Sequence, residues 1–116
     1  MTDTPVLDAD VTAVQCRREI SRLSIALIGE IDIETAPRLQ AAIDWVADVP
    51  PTDVTVDLSR TTFLDSTALR FFVRLRKLVV GNGRRLSLVA PGGEVARILE
   101  QSGLDRVLNV TAAELI

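Results

Sequence analysis

Asp65, Ser66 and Thr67 stand in a row between the apolar pair Phe63-Leu64 and a stretch that begins Ala68-Leu69-Arg70-Phe71-Phe72. Hydroxyls and a carboxylate in that setting support two kinds of chemistry. Ser, Thr and Asp satisfy the unpaired N–H groups of a first helical turn, so one reading is a helix start with Ser66 as its cap. The other is modification. A phosphate on Ser66 would meet the free N–H groups and the positive dipole end of the helix, and Arg70 one turn along can pair with it. It would also add about −1.5 to −2 charges beside Asp65, enough to repel a partner that covers the helix start.

Other chemistry is scarce. The chain has no histidine, which removes Ser-His-Asp and Cys-His catalysis, and its single cysteine, Cys16, cannot complete a zinc site. Lys77 is the only lysine and lies about three helical turns beyond Ser66, which leaves a small Ser-Lys hydrolase a distant third choice. The expectation is no enzyme, no cofactor and no metal. The net charge of −3 gives no nucleic-acid footprint. Residues 1–10 have neither a basic nor an apolar leader pattern, and no run approaches the roughly 20 apolar residues that span a bilayer. A cytoplasmic protein without direct membrane contact is expected, acting as a monomer. With 47% apolar and 25% charged residues in 116, it has the composition of one folded domain, not of a disordered chain.

The elements that position Ser66 follow from periodicity. Residues 1–10 form a polar, acidic lead-in that should be mobile, and 11–116 the domain. "VTAVQC" and "RLSIALIG" predict two strands joined through "RREIS" as an antiparallel hairpin. "TAPRLQAAIDWVADVPP" spaces Leu39, Ala42, Ile43 and Val46 as a helix capped by Thr35 and ended by Pro50-Pro51. Strands are predicted at "DVTVDL" (53–58) and "RRLSLVAP" (84–91), with a helix from Ser66 to about Val80 between them. "GEVARILEQSG" gives a further helix, with Val95, Ile98, Leu99 and Ser102 on one face and Gly103 past its end. "RVLNV" (106–110) should be a short strand and "TAAELI" (111–116) a helical tail. Strands alternating with helices predict an α/β sandwich: a mostly parallel mixed sheet, an antiparallel N-terminal edge strand and three to four helices.

At 100° per residue, the helix from Ser66 turns Ala68, Phe71, Phe72, Leu75, Leu78 and Val79 inward. Arg70, Arg74 and Lys77 form a cationic stripe that starts at Ser66, bordered by Leu69, Val73 and Val80. The stripe is either a solvated face or a docking surface for another protein.

"VDLSRTTFLDSTAL" (56–69) resembles the signature of the STAS domain of anti-sigma factor antagonists: a strand ending in Asp-Leu-Ser, an aromatic-apolar pair, then Asp-Ser-Ser/Thr-Gly-Leu opening a helix. "GEIDIETAPRLQ" (29–40) resembles the Gly-Glu-Leu-Asp turn of that family, and "PGGEVARILEQSGLDRVL" (91–108) its third helix. The resemblance covers about residues 11–110 in the same order.

It implies that Ser66 is phosphorylated by a partner that is both serine kinase and anti-sigma factor. The unmodified form binds that partner and frees a sigma factor, and a PP2C-type phosphatase resets the modified form. By the same resemblance Glu30 and Asp32 lie at the partner surface, which together with the helix start and its stripe takes in Asp65, Thr67, Leu69, Arg70 and Val73. Asp32 remains divided between this role and that of an ordinary turn or capping acid; Asp65 between helix capping and positioning Ser66. Asp57 is expected to be structural. The chain departs from the family at Ala68, where the pattern has glycine, so a non-switching STAS subunit of a signalling scaffold or lipid-transport complex is the alternative.

Overall fold

Residues 12–111 are described by a computed structural model and contain six strands and three helices. β1 (Ala13–Arg18) and β2 (Arg22–Ile31) form the expected antiparallel hairpin, paired from Ala13↔Ile28 to Arg18↔Leu23. Then follow α1 (Ala36–Asp48), β3 (Asp53–Asp57), β4 (Thr61–Leu64), α2 (Ser66–Gly81), β5 (Leu86–Val89), α3 (Gly93–Ser102) and β6 (Asn109–Thr111). The sheet order is β1-β2-β3-β5-β6. All pairs after the first are parallel, and β4 pairs separately with the far end of β2.

Parallel strands are commonly buried on both faces. Here burial alternates: Leu23, Ile25 and Leu27 of β2, Val54 and Val56 of β3, and Leu86 and Leu88 of β5 are buried, with Ser24, Ala26, Thr55 and Ser87 half-buried between them. One face of the sheet therefore carries the core. The helices join that core through Leu39, Ala42 and Val46, through Ala68, Phe71, Phe72, Leu75 and Val79, and through Val95 and Leu99. The residues placed inward on α2 by periodicity are buried, apart from Leu78, which is half-buried.

Some elements differ from expectation. β4 is a strand in a stretch where periodicity gave none; its burial pattern has exposed Thr62 and Phe63 between buried Thr61 and Leu64, so it does not alternate. Leu104–Arg106 is a 3-10 turn launched by Gly103 in the left-handed region (φ 81°), and this delays β6 to Asn109–Thr111. Thr111 thus ends a strand instead of starting a helix. The rest of the expected tail and the lead-in at 1–10 lie outside the described residues.

Candidate functional site

The site is assembled where β2 leaves β3 for β4. β2 pairs with β3 through Ala26, shifts register between Gly29 and Glu30, and continues alongside β4 as Glu30↔Phe63 and Ile31↔Leu64. Gly29 makes the shift available. Its φ of 87° disfavours an L side chain, and a Cβ there would stand 3.1 Å from Thr12 Oγ1 and 3.2 Å from Thr12 Cα. Its N–H donates to the Arg60 carbonyl at 3.0 Å. Beneath it, buried Thr61 donates its hydroxyl to the Leu27 carbonyl at 2.6 Å.

This junction carries the "GEID" residues to the start of α2. The Asp65 N–H donates to the Ile31 carbonyl at 3.2 Å, so the residue before the helix is fixed to the end of β2. Asp65, not Ser66, is the cap: its Oδ1 accepts the Thr67 N–H at 2.7 Å. Ser66 is the first residue inside the helix. It is exposed, and among the described residues its hydroxyl makes no hydrogen bond. A donor and acceptor left to water at a helix N-terminus is open to a modifying enzyme without disturbing the fold.

Asp32 acts as a cap as well. It closes the 3-10 turn Ile33–Thr35, accepting the Glu34 N–H at 3.1 Å, and its own N–H donates to Thr35 Oγ1 at 3.2 Å. Thr35 stands at the N-cap position of α1 as expected, but its hydroxyl is spent on this turn and makes no side-chain cap bond to α1. Tightening the turn leaves Ile33 outside, 67% exposed, and Phe63 of the adjacent strand is 42% exposed. Neither was among the residues picked out by sequence. An apolar residue in a turn between two acids was the available signal.

The strand and cap contacts thus bring the end of β2, with exposed Glu30 and half-buried Asp32, to the start of α2. There half-buried Asp65, exposed Phe63 and exposed Arg70 stand along the chain on either side of Ser66, and exposed Ile33 shares a groove with Thr67. A shallow groove of about 90 Å³ between α1 and α2 runs from Ile33 past Thr67 and Arg70 to Arg74. Arg74 bonds Gln40 of α1, which in turn bonds Asp44, so this part of the cationic stripe is tied to the neighbouring helix. Arg70 and Lys77 have no hydrogen bond or ion pair among the described residues. Val73 is 42% exposed; Leu69 is half-buried and packs against the core. Ala68 is fully buried, so its methyl lies in the core and adds nothing to the surface at Ser66. Asp57 accepts the Ser59 N–H at 2.9 Å and holds the turn into β4.

Among the described residues no group of three or more His, Cys, Asp or Glu side chains could hold a metal, and no helix is long and apolar enough to cross a membrane. Burial pushes the Cys16 thiol up to about 11, which leaves it protonated and unreactive near neutral pH.

The sequence profile of the STAS domain matches residues 12–114. An anti-sigma-B factor antagonist of Staphylococcus aureus is 28% identical over 82 residues, which cover 71% of this chain and 76% of the relative. The crystal structure of an anti-sigma factor antagonist from Mycobacterium paratuberculosis aligns with a TM-score of 0.77 at 28% identity, covering 91% of this chain and 90% of that one. The anti-sigma factor antagonist SpoIIAA in its unphosphorylated form shares the fold, with a TM-score of 0.62 at 19% identity over 82% of this chain and 97% of that one.

Proposed function

This chain belongs to the STAS domain family, and from that premise we propose that it is an anti-sigma factor antagonist switched by phosphorylation at Ser66. The observation that carries the proposal is the exposed Ser66 hydroxyl at the start of α2, without a hydrogen bond among the described residues, near partly exposed Phe63 three residues before it and Ile33 in the groove beside Thr67. In the unmodified state Ile33, Phe63 and Val73 offer the anti-sigma factor an apolar contact. Glu30, Asp32, Asp65, Thr67, Leu69 and Arg70 border it. Holding the anti-sigma factor releases the sigma factor for transcription, without contact between this chain and nucleic acid.

The partner is then a serine kinase. The γ-phosphoryl of ATP passes to Ser66 Oγ, the bond to the ADP oxygen breaks, and the hydroxyl proton goes to a base of the kinase. The new dianion sits at the helix N-terminus, where the dipole and Arg70 stabilise it, so the domain stays folded. Repulsion and desolvation fall on the interface instead. Hydrolysis by a PP2C-type phosphatase restores the serine and releases inorganic phosphate. The domain itself supplies no catalytic group, acts as a monomer, and works in the cytoplasm, where sigma factors work.

Affinity capture with wild type, Ser66→Ala and Ser66→Glu tests this. An ATP-binding anti-sigma factor should be held by wild type and Ser66→Ala and lost with Ser66→Glu. Equal capture of scaffold or transporter subunits by all three would instead support the non-switching role.

A further inference from the structure

A second concave surface lies at the other end of α2. α2 is sixteen residues long, so its first and last positions are about 22 Å apart. A cleft of about 430 Å³ opens there between the end of α2, the starts of β3 and β5, and the approach to β6. That is within the size range of small-molecule sites. Its walls include Arg76, Arg84 and Arg85, with Val80 and Val107 at its sides. Buried Leu86 and Leu108 also line it.

We infer that this cleft binds a small phosphomonoester, its phosphate on the arginines and an apolar body against Val80 and Val107. The residues that line the cleft include three arginines and one carboxylate, that of Asp53. Asp53 Oδ1 accepts the Arg84 Nε–H at 3.1 Å and the Arg85 backbone N–H at 3.0 Å, which fixes the turn into β5 and leaves Arg84's terminal amino groups unused. Arg76 donates Nε–H to the Val107 carbonyl at 3.0 Å, again keeping its terminal amino groups for a ligand. The Arg85 guanidinium has no hydrogen bond or ion pair among the described residues. The surplus of two positive charges matches a phosphomonoester dianion, and the planar guanidinium fork matches its oxygens.

The valines separate this cleft from a merely solvated basic patch. Val80 is 45% exposed and Val107 53% exposed, both beside the arginines. Inorganic phosphate would leave them in water, whereas an aryl or alkyl phosphate covers them. Occupancy here does not depend on the Ser66 switch, because the cleft shares no residue with that surface.

The test is a titration of the full chain followed by ¹H–¹⁵N NMR at constant ionic strength, with phenyl phosphate, inorganic phosphate and phenol as probes. Phenyl phosphate should give saturable shifts at Gly83, Arg84, Arg85 and Asn109, binding about fivefold more tightly than inorganic phosphate through its apolar contact. Phenol should give none. Arg85→Ala, which removes a side chain whose guanidinium has no partner among the described residues, should weaken phenyl phosphate about 3- to 10-fold with the spectrum otherwise intact. Val80→Ala should narrow the preference for phenyl phosphate over inorganic phosphate. Three results would overturn the inference: shifts that never saturate, shifts centred on Ser66 to Leu69, or an affinity unchanged by Arg85→Ala.

Discussion

At its N-terminal end α2 is capped by Asp65 and tied to the end of β2, which carries Glu30 and Asp32, whereas at its C-terminal end its own Arg76 lines a cleft with Arg84 and Arg85. The two ends also differ in how they are built. The first is positioned through the backbone: a positive-φ glycine, the Asp65 N–H on Ile31, and two aspartate caps. Its exposed Ser66 hydroxyl has no hydrogen bond among the described residues. The second is positioned through side chains, with Asp53 and the Val107 carbonyl holding arginines at the edge of a cleft. A backbone-built surface tolerates a change of charge at Ser66. A side-chain-built one should lose ligand affinity when a single arginine is removed, with the fold intact.

The largest effect should come from breaking both ends at once. Phe72 is fully buried under the middle of α2, with its ring 5.6 Å from that of Phe71, and Phe72→Ala should cost about 3–5 kcal/mol in denaturant unfolding. Both surfaces then weaken together.

Gly29→Ala should act at the first end alone. Its φ of 87° and the 3.1 Å approach to Thr12 predict a loss of about 1–3 kcal/mol, with NMR shifts spreading through Glu30–Asp32 to the start of α2 and leaving Gly83–Arg85 unmoved.

Removing the cap by Asp65→Ala should cost about 1 kcal/mol and increase exchange of the Thr67 amide. Smaller still, Ser66→Ala should change stability by less than about 0.5 kcal/mol, because the hydroxyl has no partner to lose among the described residues. A drop comparable to that of Asp65→Ala would mean that Ser66 shares the capping after all.

The contrast also explains what was legible in the sequence. Helix periodicity exposed the inward face of α2 because its core residues recur on one strip, and the hairpin and the α1 span followed from alternation and from Pro50-Pro51. Which of Asp65, Ser66 and Thr67 caps was not readable, since three successive cap-forming residues differ only in backbone angle. β4 escaped because four residues with an exposed Phe63 do not alternate, and because its partner is the bent end of β2, set by Gly29. That Thr35 takes the cap position of α1 without its hydroxyl capping that helix was not readable, because its commitment to Asp32 depends on the 3-10 turn. The arginine cleft was invisible as a unit: Arg76, Arg84, Asp53 and Val107 come from separate segments that only the sheet order brings together.

The central claim, that charge at Ser66 controls a protein contact and not the fold, is tested most directly by calorimetric titration of the ATP-binding anti-sigma factor encoded in the same genome. The titrant is this chain, either unmodified or carrying phosphoserine at Ser66, each with a ¹H–¹⁵N spectrum recorded alongside. The account predicts binding by the unmodified chain, at least about 100-fold weaker binding by the phosphorylated one, and spectra that differ only near the start of α2. Equal affinity of the two forms, or a spectrum showing the phosphorylated chain unfolded, would contradict it.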